Sequence, residues 1–392
     1  MKIERIKIKN YKVLQDVDIK DIPDMAVFLG KNGSGKSTLF DVFGFLNDSL
    51  NSNVKSALQA RGGFKEVRSR EQAGDIEFEF KYCGDQTDNK LVTYELKIGL
   101  NSNNQPIIKR EILKYRRGQH GQPWNFLDFS DGEGVAIDEE EDFENISVAH
   151  RTNYKLDSSD ILAIKGLGQF QKFKAVATFR KLIEDWHVSD FHVEDARMLQ
   201  DVHYDEQLNK YGNNLANVAK YIHDEHPHKF ELILDKMKAR VPGITSVNAN
   251  ETEDGRIVLK FGDGKFKDPF ASKFVSDGTI KMFAYLILLH DPKTHALLCI
   301  EEPENQLYPE LLKELVEEFR EYTRMGGQVF VSTHSPDFLN NVDLNEVYYL
   351  VKKDGYSKVI KAKNIELVES LVGAGDKLGC LWQQGILGGD IE

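Results

Sequence analysis

The sequence predicts an α/β fold with a mixed sheet core, an antiparallel β subregion and a helical subdomain. Three observations lead to this prediction. An apolar strand-like run passes through a glycine-rich loop into an amphipathic segment over residues 25–46. Apolar and polar residues alternate at 76–113, and helical spacing dominates 172–240. A strand–helix–strand pattern then returns at 296–331.

The glycine-rich loop fits the phosphate-binding pattern G-x-x-x-x-G-K-[ST], and its residues are Gly30-Lys31-Asn32-Gly33-Ser34-Gly35-Lys36-Ser37-Thr38. Its glycines allow the backbone to curl around a polyphosphate and to aim N–H groups inward at a helix N-terminus. The pattern predicts that Lys36 contacts the β- and γ-phosphates and that the Ser37 hydroxyl binds Mg²⁺. Because the flanking strand and helix are those that the motif needs, we interpret the loop as a nucleotide site rather than a chance glycine-rich turn.

Length and composition restrict the class of protein. The 392 residues are 41% hydrophobic, enough for a folded core, and their net charge of −12 argues against coating nucleic acid through bulk charge. No apolar run approaches the ~20 residues of a membrane span. The Met-Lys-Ile-Glu start does not resemble a signal peptide, and the spacing of Cys83, Cys299 and Cys380 favours a reducing cytoplasm.

The first 117 residues are expected to be mainly strands around the loop. Apolar residues at 3–19, interrupted at Asn10-Tyr11, predict two antiparallel strands, and the helix after the loop should run to about Leu50. Alternation at 76–80, 92–98 and 107–113 predicts an antiparallel meander within residues 61–117. Lys7 and Lys9 share one face of the first strand. A solvated face is the favoured interpretation, and a DNA contact is the alternative.

Residues 118–243 are expected to be a loop followed by the helical subdomain. Periodicity is lost at 118–150, where the acidic run 138–142 is interpreted as a solvated loop rather than an ion site. Three- and four-residue apolar spacing then predicts helices at 176–186 and 215–237. These segments are too short and broken for a long coiled-coil arm, which would need sustained heptads.

Residues 244–392 are expected to complete the α/β core. The pattern predicts strands at 257–261, 296–300 and 329–331, helices at 279–290 and 309–324, and a hairpin that turns at Asp354-Gly355. The strand 296–300 runs directly into Glu301-Glu302-Pro303-Glu304, and the strand 329–331 into Ser332-Thr333-His334-Ser335-Pro336. The acidic segment and the histidine segment therefore both follow the carboxyl ends of strands, where open α/β sheets place ligands.

Two adjacent acids at the end of a five-residue apolar strand are costly unless something neutralises them. The pattern predicts a Walker B motif in which Glu301 binds Mg²⁺ and Glu302 orients or deprotonates the attacking water. His334 follows the next strand and is expected to hydrogen-bond the γ-phosphate or the water. A structural histidine is the alternative at that position.

Together these motifs resemble the ABC-type ATPases of the RecF, SMC and OLD-nuclease group, often described simply as AAA-family ATPases. The resemblance is carried by Lys36, by Glu301-Glu302-Pro303-Glu304-Asn305 and by the His334 segment. Val275-Ser276-Asp277-Gly278-Thr279 resembles the signature motif, and Asn10-Tyr11-Lys12 is similar to an N-F-R opening. The tail at 378–382 with Gly388-Gly389 is similar to a subgroup of stand-alone ATPases.

This resemblance implies a P-loop NTPase of ABC-ATPase type without a TOPRIM domain in these residues, with ATP and Mg²⁺ as ligands. It implies a homodimer, arranged head to tail around two ATP molecules. Each site would take Lys36, Ser37, Glu301, Glu302 and His334 from one chain, and Ser276 and Gly278 from the other. Lys12, as a phosphate or interface contact, and Gln169, as the Q-loop residue, are further candidates that the resemblance implies.

The function expected from this resemblance is an ATP-driven dimeric switch that acts in DNA metabolism or anti-phage defence. The effector, such as a nuclease, would be a separately encoded partner. The alternative is the motor subunit of a transporter. The Ser276-Asp277-Gly278 signature and the lack of a membrane-facing segment argue against that alternative.

Overall fold

The computed structural model describes residues 1–84, 91–115, 124–137 and 151–387. The chain divides into two compact units. Unit 1 comprises Met1–Trp186 and Asn345–Ile365, and unit 2 comprises His187–Leu344 and Glu366–Glu392. The P-loop, residues 30–38, lies in unit 1, whereas the segments that follow the two C-terminal strands lie in unit 2.

The strands, in chain order, are β1 (Lys2–Tyr11), β2 (Leu14–Ile19), β3 (Met25–Leu29), β4 (Ile76–Cys83), β5 (Val92–Leu100), β6 (Pro106–Tyr115), β7 (Trp124–Ser130), β8 (Glu133–Ile137), β9 (Arg151–Lys155), β10 (Trp186–Ser189), β11 (Gln200–Asp201), β12 (Ile244–Glu251), β13 (Arg256–Asp263), β14 (Phe270–Ala271), β15 (Leu297–Glu301), β16 (Gln328–Thr333), β17 (Val347–Lys353) and β18 (Tyr356–Lys361). The helices are α1 (Lys36–Asn51), α2 (Val54–Gln59), α3 (Phe64–Val67), α4 (Ala163–Leu167), α5 (Lys174–Glu184), α6 (Val193–Arg197), α7 (Leu215–Glu225), α8 (Pro227–Arg240), α9 (Asp277–Leu289), α10 (Pro309–Arg324), α11 (Pro336–Leu339), α12 (Glu366–Gly373) and α13 (Leu378–Gln383).

Unit 1 contains an eight-stranded antiparallel sheet in the order β2-β1-β4-β5-β6-β7-β8-β9. The predicted N-terminal strand pair and meander are confirmed, since β1 pairs with both β2 and β4, and β4, β5 and β6 follow one another. Strand β4 buries every second side chain, which is the period expected of a sheet with one covered face. The sequence alternation in this region therefore corresponds to a real inner and outer face.

The expectation that residues 118–150 lack regular structure is wrong for 124–137, which form β7 and β8 and extend the meander. Asp131 and Gly132 make the turn between them with φ values of 51° and 85°. Burial in β7 does not alternate cleanly, since Phe126 and Leu127 are both covered. Because of this irregularity, β7 lacks the alternation of apolar and polar residues that identifies a strand in a sequence. The acidic run 138–142 lies outside the described residues.

Unit 1 also contains the strand–loop–helix segment that the sequence predicts. Strand β3 is buried along its whole length and pairs in parallel with β17, with Val27 opposite Val347. Strand β17 pairs antiparallel with β18 through the Asp354-Gly355 turn, so this sheet is mixed, as predicted. Helix α1 follows the loop and buries its apolar face, which includes Leu39, Phe40, Val42, Phe43 and Leu46.

Unit 2 contains the parallel pair β15 and β16, connected by α10. Helix α10 spans Pro309–Arg324, as predicted, and buries an apolar stripe that includes Leu315 and Phe319. Helix α9 is buried from Thr279 to Leu289 and therefore forms a central part of this unit. The antiparallel pair β12 and β13 is also present, although only β13 was predicted. In the described part of the chain, no helix is long and apolar enough to cross a membrane.

The face of the antiparallel sheet that carries Lys7 and Lys9 is not purely basic. In the β1–β4 register, Lys7 lies opposite Glu79 and Lys9 opposite Glu77. A shallow groove of about 170 Å³ on this face is lined by Lys7, Lys9, Lys97 and Arg110 and by Glu77, Glu79 and Glu95. Four cations beside three carboxylates leave little net field for a phosphate backbone. This balance favours the solvated face over a DNA contact, which stays an untested alternative.

Candidate functional site

The P-loop is a tight turn closed by its own side chains. Ser34 N–H donates to the Lys31 carbonyl (3.1 Å), and Lys36 Nζ donates to the Gly30 carbonyl (2.8 Å). Gly35 has a φ of 102°, a left-handed conformation that favours glycine, and a Cβ there would overlap Ser357 Oγ. The loop therefore requires glycine at 35 for its backbone as well as for close packing.

The start of α1 is suited to an anion. Gly35 is its N-cap and provides no side-chain cap, and the first turn contains no acidic residue. The N–H groups of that turn have no intrahelical acceptors, and the helix dipole adds partial positive charge. Ser34 Oγ is buried with no hydrogen-bond partner among the described residues. Lys31, Asn32 and Ser37 are exposed around it. This donor-rich rim fits a polyphosphate.

Ser357 supports the backbone of the P-loop through a hydrogen bond. Ser357 on β18 is fully buried, and its Oγ donates to the Ser34 carbonyl (2.6 Å) while its N–H donates to the Val13 carbonyl (2.8 Å). The bond from Ser357 thus fixes the backbone carbonyl of Ser34. Sequence reasoning missed Ser357, because a serine in a hairpin strand has no local signal that it will pack under a loop 323 residues away.

Lys12 forms an ion pair within unit 1. Its Nζ lies 2.6 Å from Asp41 Oδ2, and Arg61 Nε lies 2.8 Å from Asp41 Oδ1. Burial raises the pKa of the Asp41 carboxyl, but Arg61, Lys12 and a hydrogen bond from Tyr11 outweigh it and leave that pKa below its usual range. The lysine thus anchors α1. A phosphate or interface contact from Lys12 stays a prediction.

Gln169 lies on the surface just after α4. Its side-chain Nε2 donates to the Lys165 carbonyl at 3.3 Å, one helical turn earlier. This contact gives the side chain a local partner in unit 1. Its assignment as the Q-loop residue stays a prediction.

Unit 2 brings the two predicted catalytic side chains together. His334 Nδ1 lies 3.3 Å from Glu302 Oε1, and Asn305 Nδ2 donates to Glu302 Oε2 at 3.1 Å. Glu302 has a φ of 40°, and its N–H donates to the Ser332 carbonyl (3.0 Å). A non-glycine residue in this conformation costs on the order of 1–3 kcal/mol and is typical of functional sites. The strand end therefore turns sharply to present this carboxylate.

Glu304 is the residue of this site that sequence reasoning missed. Its Oε1 accepts from Thr333 Oγ1 (2.7 Å) and from His334 N–H (3.0 Å), and it lies 3.5 Å from His334 Nδ1. Its Oε2 is buried without a hydrogen-bond partner in the described residues. The available signal was its place in the Glu-Pro-Glu-Asn segment, whose second acid was not given a role. Glu304 fixes the backbone on which His334 stands.

Lys281, also missed, connects α9 to the loop after β15. Its side chain is buried, at 3% exposure for the residue, and Nζ donates to the Asn305 carbonyl (2.7 Å). Burial lowers the pKa of Lys281 to about 8, against the opposing attraction of Glu304, Asp190 and Glu302. A charged group this deep is stable only among acids, so the lysine partly balances the acidic loop.

The predicted signature residues lie at the start of α9. Ser276 is its N-cap, and Ser276 Oγ accepts from Thr279 N–H (3.3 Å). Arg197 donates to the Val275 carbonyl and forms an ion pair with Asp277 (2.5 Å), which holds the segment before Gly278 in place. Contacts from Ser276 and Gly278 to a nucleotide of a second subunit stay predictions.

Ser37 and Glu301, the two residues predicted to bind Mg²⁺, each carry an oxygen donor of a kind that this cation binds. Ser37 carries an exposed hydroxyl at the first turn of α1, and Glu301 a half-buried carboxylate at the end of β15. In the described ranges no cluster of three or more His, Cys, Asp or Glu is placed to hold a metal. A hydroxyl and a carboxylate suit Mg²⁺, because this ion keeps waters and substrate phosphates as its other ligands.

Comparison with known proteins now decides the family. Residues 25–340 match the family described as "AAA domain, putative AbiEii toxin, Type IV TA system". The chain belongs to this AAA-domain family. The AAA-domain protein is 21% identical over 364 residues to the ATP/GTP phosphatase of Helicobacter pylori, with 87% of each chain covered. It is also 31% identical over 87 residues to the DNA replication and repair protein RecF of Phocaeicola vulgatus, covering 21% of this chain and 24% of RecF.

The fold of the AAA-domain protein is similar to that of an SMC head. The crystal structure of the SmcHead bound to the C-winged helix domain of ScpA matches it with a TM-score of 0.53 at 13% identity. The match covers 92% of this chain and 97% of the other. Together with the family match, this confirms the α/β fold and supports the resemblance to ABC-type ATPases of the RecF/SMC group that the motifs predicted.

Proposed function

We propose that this AAA-domain protein binds ATP with Mg²⁺ and hydrolyses it to ADP and phosphate. The observation that carries the proposal is the P-loop, which combines a helix start without a side-chain cap, the Lys36 ammonium and a Ser34 hydroxyl that has no hydrogen-bond partner among the described residues. Such a set of donors suits a polyphosphate better than any neutral ligand. The close pair of Glu302 and His334 supports hydrolysis rather than binding alone.

Each residue has a role in this proposal. The P-loop from Gly30 to Thr38 holds the phosphates, and Lys36 places its charge on the β- and γ-phosphates. Ser37 and Glu301 hold Mg²⁺, which when bound supplies positive charge against the phosphate oxygens. Glu302 orients the attacking water and accepts its proton. His334, 3.3 Å from Glu302, fixes the direction of that carboxylate and donates toward the γ-phosphate.

The proposal extends to a dimeric switch. Ser276 and Gly278, at the positively polarised start of α9, contact the γ-phosphate held by a second copy of the chain, with Lys12 and Gln169 as accessory contacts. ATP joins the two copies and its hydrolysis releases them. The similarity to RecF, and the AbiEii description of the family, support a role in DNA metabolism or anti-phage defence with a separately encoded effector such as a nuclease. This assignment of pathway rests on analogy.

Glu302→Gln tests the proposal because it keeps the size of the side chain and removes the base. We expect unchanged ATP affinity, a fall in kcat on the order of 10² to 10³-fold, and a dimer that persists with ATP. Phosphate release, calorimetric titration and light scattering after gel filtration measure the three quantities. Glu310→Gln, an exposed acid in the first turn of α10, is the matched control.

Two outcomes would contradict the proposal. Normal turnover in Glu302→Gln would remove Glu302 from its role as the water-orienting acid. Retained ATP binding in Lys36→Ala would show that the P-loop is not the nucleotide site, because that substitution removes the cation at the phosphates. The Glu310 control should behave as the unmodified protein in all three measurements.

A further inference from the structure

The C-terminal helix α13 is attached to the loop that carries His334. Trp382 Nε1 donates to the His334 carbonyl at 3.0 Å, and Gly379 N–H donates to Asn340 Oδ1 at 3.0 Å. A Cβ at Gly379 would overlap the carbonyl oxygen of Pro336, so the backbones of α13 and α11 are in direct contact there. The helix is therefore seated on this segment by two hydrogen bonds and by close packing.

The buried side of α13 explains why it stays in place. Leu378 and Leu381 are covered, at 5% and 1% exposure, whereas Cys380 on another face is exposed. Burying two leucines gives the short helix an apolar anchor, which its length alone could not supply. The indole N–H of Trp382 is thereby held over a fixed backbone position.

The two polar backbone groups of His334 are both bound by side chains from distant segments. Its N–H donates to Glu304 Oε1, and its carbonyl accepts from Trp382 Nε1, which lies 48 residues further along the chain. With both peptide groups held, the backbone cannot rotate freely, and the imidazole is directed at Glu302. A loop residue would otherwise be among the more mobile parts of a structure.

We propose that Trp382 is a positioning residue for His334, and hence that α13 belongs to the hydrolytic apparatus of this ATPase. The proposal rests on the proposed function of His334. Trp382 acts through the His334 carbonyl. Its loss should lower the rate of turnover and leave the affinity for ATP unchanged, because the hydrogen bond holds a residue proposed for hydrolysis rather than one proposed to bind the phosphates.

Trp382→Phe is the test, since it keeps an aromatic ring and removes the N–H donor. We expect kcat to fall about 2- to 12-fold with ATP affinity unchanged, the range that corresponds to the loss of one neutral hydrogen bond. Amide exchange across residues 332–341 should become faster. Trp186→Phe is the matched control, because Trp186 Nε1 has no hydrogen-bond partner in the described ranges. That control should keep the unmodified kcat.

A second variant keeps the test decisive. Asn340→Ala releases the other attachment of α13 and leaves Trp382 in place, so it should lower kcat and speed exchange in the same segment. Unchanged kcat and exchange in Trp382→Phe and Asn340→Ala would overturn the proposal. If the unmodified protein fails to hydrolyse ATP, the proposed function fails, and the exchange measurement alone then decides whether α13 holds the His334 loop.

Discussion

Substitutions of Glu304 offer the sharpest test of how the loop that carries His334 is held in place. One carboxylate oxygen, Oε1, accepts from Thr333 Oγ1 and from His334 N–H, whereas Oε2 is buried without a hydrogen-bond partner in the described part of the chain. Glu304→Gln keeps an oxygen acceptor at the position of Oε1 and replaces Oε2 with an amide NH₂ group, which also removes the negative charge. Glu304→Ala removes both accepted bonds. The two variants therefore separate hydrogen-bond geometry from charge.

The magnitude follows from those contacts. Two hydrogen bonds to a charged acceptor contribute about 1.5–3 kcal/mol each, which sets an upper bound near 6 kcal/mol for Glu304→Ala. Removing the buried carboxylate also removes the desolvation cost of its charge, which offsets part of the lost hydrogen-bond energy. We therefore expect a loss of local stability on the order of 2–4 kcal/mol. If about half of that loss reaches the transition state, kcat falls on the order of 10-fold or more. For Glu304→Gln we expect less than about 5-fold.

Two measurements check this prediction. Steady-state phosphate release gives kcat, and hydrogen exchange reports the protection of the His334 amide directly. In Glu304→Ala the amide should exchange faster while ATP affinity stays the same, and Glu310→Ala should match the unmodified protein. Equal impairment in both Glu304 variants would show that charge, rather than the two accepted bonds, holds the loop. Unchanged exchange and kcat in Glu304→Ala would refute the argument.

Two further predictions concern other supports. Ser357→Ala removes the donor to the Ser34 carbonyl, so ATP should bind about 5- to 10-fold more weakly in a calorimetric titration, and unmodified affinity would show that the P-loop does not need this bond. Burial lowers the pKa of Lys281 from 10.5 to about 8, so the folded protein binds fewer protons than the unfolded chain between pH 8 and 10.5. Its contribution to stability therefore rises with pH across that window by about 3 kcal/mol, and Lys281→Met should flatten the rise in urea midpoints measured from pH 7.5 to 10. A steep rise retained in the Met variant would assign the titration to another group.

Local patterns were sufficient for the elements that rest on local physics. The P-loop has the backbone that its glycines predict, and α10 begins at Pro309 and ends at Arg324 because proline at the first position and Gly326-Gly327 beyond the end are strong boundary signals. The pairing of Glu302 with His334 was also accessible, since consecutive parallel strands bring their carboxyl ends to one edge.

Residues that act through long-range contacts were not accessible. Three side chains contact backbone groups far along the chain: Ser357 at a separation of 323 residues, Glu304 at 30 and Trp382 at 48. No periodicity or spacing in the sequence predicts these contacts. Each is a common residue type in an ordinary setting, a serine in a strand, an acid in a turn and a tryptophan on a short helix. Their roles come from where the fold places them. Strands β7 and β8 were missed for a related reason, since paired burial of Phe126 and Leu127 breaks the alternation.

The supports of His334 also determine where regulation of this ATPase could enter. Glu304 belongs to the same loop as Glu302, so we expect a change at Glu304 to disturb the acid proposed to orient the water as well as the histidine. Trp382 donates to the His334 carbonyl from helix α13. A partner that displaced α13 would therefore loosen His334 while Glu302 kept its bonds to Asn305 and Ser332. If the proposed function holds, such a displacement would slow hydrolysis without releasing ATP, which is the property that the proposed switch needs to hold its nucleotide-bound state.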